Sequence, residues 1–235
     1  MLFTACSSTD KIDTATAEGA FKLAEKYEKD ERYDEAITYY SDVKNKFPYS
    51  SLATAAELKI ADIEFQRENF PEAESAYKVF REFHPTHEKS DYVIYRLGLS
   101  IFNQLPPTTD RDLSLAAVAI ENFDTVINSY STSPYVKEAQ EKKRAAQQML
   151  ADKEYYIANF YFIREKWESS LGRFEDLLRS HAKFGYDEKA LYGATLSAYR
   201  MKDMDKAKTY FKRLLADFPN SKELAEARKE LADGF

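Results

Sequence analysis

One helical unit recurs five times along this chain, and that repetition limits what it can fold into more than any other feature. The stretch YDEAITYYSDVKNKFP at 33–48 returns as FPEAESAYKVFREFHP at 70–85 and as MDKAKTYFKRLLADFP at 204–219. Two looser copies read AAVAIENFDTVINSYS at 116–131 and WESSLGRFEDLLRSHA at 167–182. Each copy holds a small residue (Ala36, Ala73, Ala119, Ser170, Ala207) and, one helical turn later, an aromatic one (Tyr40, Tyr77, Phe123, Phe174, Phe211). Both therefore lie on one helix face. The small side chain suits a close helix crossing, and the ring fills the space beside it. Self-similar helical units specify a stacked array in which each unit buries its apolar face on its neighbours.

Ahead of each copy runs another helix carrying a bulky–small pair: Leu23/Ala24, Ile60/Ala61, Leu97/Gly98, Ile157/Ala158 and Ala194/Thr195. Registered on these pairs and on Pro48, Pro85 and Pro219, the units fit the tetratricopeptide pattern of about 34 residues. Proline ends each second helix because it lacks an amide donor and biases the residue before it away from the α region. The expected fold is all-α, a tetratricopeptide superhelical array of about five helix-turn-helix repeats. The first helix of repeat one is expected over 17–29.

Irregular spacing is informative. Ala36 to Ala73 and Ser170 to Ala207 are each 37 residues, but Ala73 to Ala119 is 46 and Ala119 to Ser170 is 51. The first excess falls at QLPPTTDRD (104–112), where Pro106–Pro107 ends a helix and Asp110 or Asp112 can cap the next. The second falls where Tyr135 to Arg164 contains neither Pro nor Gly and is rich in strong helix formers. One helix of about 30 residues, about 45 Å long, is expected there, linking repeats three and four. The expected layout is a tether over 1–16, repeats one to three over 17–131, a connecting helical part over 132–150, and repeats four and five over 151–235.

In such an array the first helices of the repeats line the inner surface. Their fifth positions are Phe21, Leu58, Tyr95, Tyr155 and Tyr192; their twelfth are Glu28, Phe65, Phe102, Phe162 and Tyr199. Two turns apart on one face, they form two mostly aromatic lines. The N-terminal set, with Tyr92, is the candidate groove for an extended peptide bearing aromatic or apolar side chains. The competing role for any one ring is packing against the neighbouring helix.

Other chemistry is thinly represented. Net charge is -6, with no Lys/Arg cluster interleaved with stacking aromatics, which disfavours nucleic acid. No apolar run approaches the ~20 residues of a membrane span. His84 and His87 in HPTH read as turn residues rather than metal ligands, and His181 stands alone. Asp110–Arg111–Asp112 reads as caps and solvated charge. No phosphate loop, nucleophile elbow or zinc motif appears, so neither an enzyme nor a cofactor is expected.

Cys6 is the single cysteine and excludes an intramolecular disulfide. Its setting, LFTACSS, resembles the end of a bacterial lipoprotein signal, although a basic n-region is missing and Phe3 stands where Leu is usual. The other reading is an ordinary free thiol. SSTDKIDTAT (7–16) reads as a flexible tether.

Taken together, the chain resembles the BamD family, tetratricopeptide lipoproteins of the outer-membrane β-barrel assembly machinery. HPTHEKSDYVIYRLGL (84–99), DRD (110–112) and KEYYIANFYFIREKWESSLGRFEDLLR (153–179) carry the resemblance, which covers essentially 6–235. It implies lipidation at Cys6 and anchoring at the periplasmic face of the outer membrane. It also implies that the N-terminal repeats receive the C-terminal signal of unfolded outer-membrane proteins, which ends in an aromatic residue. The C-terminal repeats would dock on the polypeptide-transport-associated (POTRA) region of a BamA-like barrel subunit, alongside other assembly lipoproteins. Arg173 occupies the place of the family's docking arginine; its alternative is a surface ion pair with Glu175 or Glu168. Another periplasmic repeat lipoprotein, such as a secretin pilotin or a cell-wall-associated adaptor, is the alternative function.

Overall fold

A computed structural model describes residues 12–231. Among these the chain is helical throughout, in the order α1 (Ala17–Lys29), α2 (Tyr33–Lys46), α3 (Ser51–Gln66), α4 (Phe70–Phe83), α5 (Ser90–Phe102) and α6 (Ser114–Ser129). There follow α7 (Val136–Ile163), α8 (Trp167–Ser180), α9 (Asp187–Arg200), α10 (Met204–Asp217) and α11 (Lys222–Glu230). The lipidation expected at Cys6 lies outside the described residues. The fold is the all-α array expected from the repeats, and α7 is one uninterrupted helix of 28 residues.

The repeat positions explain the packing. Ala36, Ala73, Ala119, Ser170 and Ala207 are all fully buried, as are Ala24, Ala61, Ala158 and Thr195 on the opposing helices. Tyr40, Tyr77, Phe123 and Phe174 are buried beside them, whereas Phe211 is only half-buried. At Ser170 the hydroxyl donates to the Ala158 carbonyl at 3.4 Å and accepts from the Ser197 hydroxyl at 3.2 Å, so a polar residue is tolerated at the crossing. Where Pro48, Pro85 and Pro219 follow, the preceding Phe47, His84 and Phe218 have left the helix, with φ near -130 and ψ near 55.

Four of the reversals between paired helices share one geometry. Glu31, Glu68, Glu165 and Lys202 take positive φ (58, 61, 56 and 66°). The amide after each reaches back to close the preceding helix, as Arg32 N–H does to Tyr27 O at 2.9 Å and Asn69 N–H to Glu64 O at 2.9 Å. This left-handed cap satisfies the last carbonyls of the first helix and turns the chain in three residues. The 104–112 insertion replaces it in the third pair; there Asp112 accepts from the Ser114 amide (3.0 Å) and hydroxyl (2.8 Å) at the start of α6.

The chain divides into two compact units. The first comprises Met1–Gln104 and Asn122–Val136, the second Leu105–Glu121 and Lys137–Phe235. In the first, α1 to α5 pack in sequence, with Tyr40, Val43 and Ile63 among the core residues of its α1–α3 part. In the second, Phe174, Leu177, Leu191 and Leu214 centre the core of α7 to α11.

Candidate functional site

In the first unit α1, α3 and the turn before α5 enclose a cavity of about 390 Å³. Its shape follows from side-chain size. Ser50 caps α3, accepting from Leu52 N–H at 3.2 Å, and the next turns present Thr54 and Ala55, which leave the space open. Leu58 forms part of the wall, and Phe21 another, held edge-on by the Tyr40 ring at 5.1 Å. The rim carries Lys59, His87, Glu88 and Lys89. Lys59 pairs with Glu28 at 2.9 Å, and Glu28 also accepts from the Tyr40 hydroxyl. The Lys89 ammonium has no ion pair among the described residues. His87 Nδ1 accepts from the Lys89 amide at 3.1 Å.

Asp62 lies at the far end of the same cavity and ties it to the next helices. Its Oδ1 accepts from both the Tyr77 hydroxyl (2.6 Å) and the Tyr92 hydroxyl (2.7 Å). Burial, reinforced by the Asp62 charge, pushes the Tyr92 phenol up to about 12 and the Tyr77 phenol higher still. Arg96 Nε donates to the Tyr77 oxygen at 3.3 Å, and its guanidinium covers the Phe65 ring at 3.8 Å.

The predicted groove residues therefore divide. Phe21 and Leu58 meet in the cavity, and Tyr92 reaches it through Asp62. Phe65 is engaged by Arg96 and by the edge of Phe70 at 5.4 Å. Tyr95 is buried, stacked on Tyr135 at 5.0 Å, and Phe102 meets the edge of Phe123 at 6.4 Å. Asp62, Arg96, Lys59 and Lys89 escape sequence reasoning, because nothing in the repeat distinguishes them from solvated charges. His84, read as a turn residue, also bonds Glu57 through Nε2 at 2.7 Å.

In the second unit Arg173 sits on α8 and Nη1 donates to both Glu154 oxygens, at 3.2 and 3.3 Å. The partner is thus an α7 carboxylate rather than Glu168 or Glu175; Glu175 accepts from Lys206 and Tyr210 instead. Arg173 also lines a polar trough with Tyr161, Glu168, Ser169, Gly172 and Asp176. On α7, Tyr156, Phe160 and Ile163 form an exposed apolar stripe at helical spacing. Among the described residues no cluster of three or more His, Cys, Asp or Glu is placed to hold a metal ion, and no helix is long and apolar enough to cross a membrane.

Comparison with known proteins bears on both units. The family described as YfiO, outer membrane lipoprotein, matches residues 13–192, and a tetratricopeptide repeat family matches 189–221. The chain is 24% identical over 226 residues to the outer membrane protein assembly factor BamD of Vibrio cholerae, covering 92% of each. It is 26% identical to BamD of Rickettsia prowazekii, over 90% of this chain and 82% of that one. Against BamD of Neisseria gonorrhoeae the identity is 25%, over 83% of this chain and 76% of the relative.

Proposed function

The chain belongs to the YfiO family of outer membrane lipoproteins, and from that membership we propose that it is a non-enzymatic adaptor in outer-membrane protein assembly. Its first unit receives the C-terminal signal of unfolded outer-membrane proteins. Its second docks on the POTRA region of a BamA-like barrel subunit, beside other assembly lipoproteins. Cys6 carries the lipid that holds it at the periplasmic face.

The observation that carries the peptide reading is the cavity between α1 and α3. It joins an apolar wall (Phe21, Leu58) to a rim of mixed charge, on which Lys59 is paired with Glu28 and Lys89 stands beside Glu88 without an ion pair among the described residues. A carbon wall and one ammonium suit a chain end that finishes in an aromatic residue: the ring is desolvated against carbon, and the terminal carboxylate meets Lys89. No bond is made or broken; the signal is held and passed on. Arg173 supports the docking reading. Glu154 holds Nη1, and the guanidinium lines an open polar trough where a partner carboxylate can take its remaining N–H donors.

Fluorescence polarisation with a labelled peptide ending in an aromatic residue tests the first half. Thr54→Trp, which fills the cavity, and Lys89→Glu are each expected to weaken binding about tenfold, the scale of one lost anchor. Amidating the peptide's terminus should mimic Lys89→Glu. Affinity unchanged in both variants would remove the cavity from the reading. Arg173→Glu should leave the peptide titration alone and abolish co-purification of the POTRA-containing subunit.

A further inference from the structure

The two most exposed large apolar side chains among the described residues are both in the first unit: Tyr49 at 101% and Phe83 at 75%. Tyr49 stands in the turn between α2 and α3, and Phe83 is the last residue of α4, with exposed Val79 one turn before it. Among the described residues neither ring is engaged by another ring or a cation, so their exposure needs an explanation.

Topology puts them on one edge. The α3–α4 hairpin reverses in three residues, so the end of α4 lies beside the start of α3, which follows Tyr49 directly. The His84–Glu57 bond ties that end down. The α1–α2 hairpin reverses in the same way and sets the start of α1 beside the end of α2 at Lys46, three residues before Tyr49. The N-terminal residues therefore join the unit at this same edge. The junction is fixed there: the Thr16 hydroxyl caps α1 at Gly19 N–H (3.1 Å) and donates to the Asp13 carbonyl (3.2 Å). From Cys6 to Thr16 the chain can reach at most about 35 Å.

We propose that this edge rests on the surface of the bilayer, with Tyr49 and Phe83 set into the boundary between headgroups and acyl chains. The proposal rests on the reading that Cys6 carries a lipid. A membrane-held chain entering at this edge keeps the edge near the lipid, and exposed rings are what that boundary accepts. Charge does not direct the contact, because Lys44, Lys46 and Lys89 are offset by Asp42, Glu82 and Glu88. Ring burial drives it, and mixed zwitterionic lipid suffices. Two points of insertion besides the lipid would fix the unit's tilt and turn the α1–α3 cavity to a set angle from the membrane.

The single cysteine makes a direct test possible. Full-length protein is coupled through Cys6 to maleimide-phosphatidylethanolamine in vesicles of phosphatidylethanolamine and phosphatidylglycerol containing brominated acyl chains. This fixes the attachment whether or not the cell acylates Cys6. In a Trp167→Phe background, the indoles introduced by Tyr49→Trp and by Phe83→Trp are each expected to lose about twofold in intensity to the bromines and to shift to the blue. An indole at the opposite end of the same unit, introduced by Tyr33→Trp at the start of α2 in the same background, should change little. Tyr49→Trp and Phe83→Trp indoles both quenched no more than the Tyr33→Trp indole would overturn the proposal. Mass spectrometry of the protein extracted from its own membranes reads the acylation of Cys6 separately, so loss of that reading and loss of this one are distinguishable.

Discussion

Two glycines inside helices of the second unit should respond to the same substitution with opposite sign. Alanine is favoured over glycine in a helix interior by about 1 kcal/mol. At Gly193 on α9 an added Cβ would lie 2.1 Å from Phe174 Cε2, 2.4 Å from Cζ and 2.6 Å from Cδ2. The Phe174 ring, 2% exposed, is itself blocked by the edge of Phe162 at 5.9 Å, so it cannot swing away. The helices α8 and α9 must part by more than an ångström. Overpacking of this kind costs about 1–3 kcal/mol or more, which exceeds the helix gain. Gly193→Ala is therefore expected to destabilise by up to about 2 kcal/mol net. At Gly172 on α8 nothing lies within 4 Å of the added carbon. Only the propensity remains, and Gly172→Ala should stabilise by up to about 1 kcal/mol. Urea unfolding followed by circular dichroism gives both values. Hydrogen exchange on α8 and α9 assigns them locally, since two compact units need not unfold together. Phe174→Leu should make the Gly193→Ala penalty less than additive. An equal rise of the midpoint for both alanines would refute the placement of the ring over Gly193.

Two further outcomes follow from the buried hydroxyls. Asp62→Ala leaves the fully buried Tyr77 phenol without its acceptor and should cost about 1–3 kcal/mol; Tyr77→Phe, which keeps Tyr92 on Asp62, should cost less, and the two urea midpoints compare them. At alkaline pH, Tyr92, Tyr186 and Tyr210 titrate near 12, raised first by burial and then by Asp62, Asp152 and Glu175 respectively. Because the folded values lie above the unfolded value near 10, their stabilisation is whole below that pH and is lost as pH rises toward 12. Tyrosinate absorbance at 295 nm should then climb for these groups together with the loss of helix signal; a full rise in tyrosinate at pH 11 with helix content intact would contradict it.

How far the sequence carried the reading can be traced residue by residue. Small residues such as Ala36 and Ala73 and the prolines were legible because a local rule, close crossing or a missing donor, fixes what each position needs. The left-handed turns at Glu31, Glu68, Glu165 and Lys202 were not. Conformational preference points to glycine there, and packing of the paired helices overrides it. The ring lines were legible as lines, but which rings stay open was not. Tyr95 is closed by Tyr135, forty residues away in sequence, and Phe65 by Arg96. Arg173 is singled out only through the family resemblance, and its partner Glu154 lies on the preceding helix at a separation no helical period marks. Polar pairing across helices is set by packing geometry, and one sequence holds too many charges to choose among.

The shared turn also bears on how such a chain can change over generations. Glu31 to Glu68 and Glu165 to Lys202 are each 37 residues, the same interval that separates the small residues Ala36 and Ala73, and Ser170 and Ala207. An in-frame gain or loss of 37 codons with ends at two such joints returns every side chain to its own face, because the joint and the crossing recur in step. Ends placed in the 104–112 insertion lose that phase. Gain or loss of a whole unit should therefore preserve the packing when its ends fall at the left-handed joints and disturb it when they fall in the third pair.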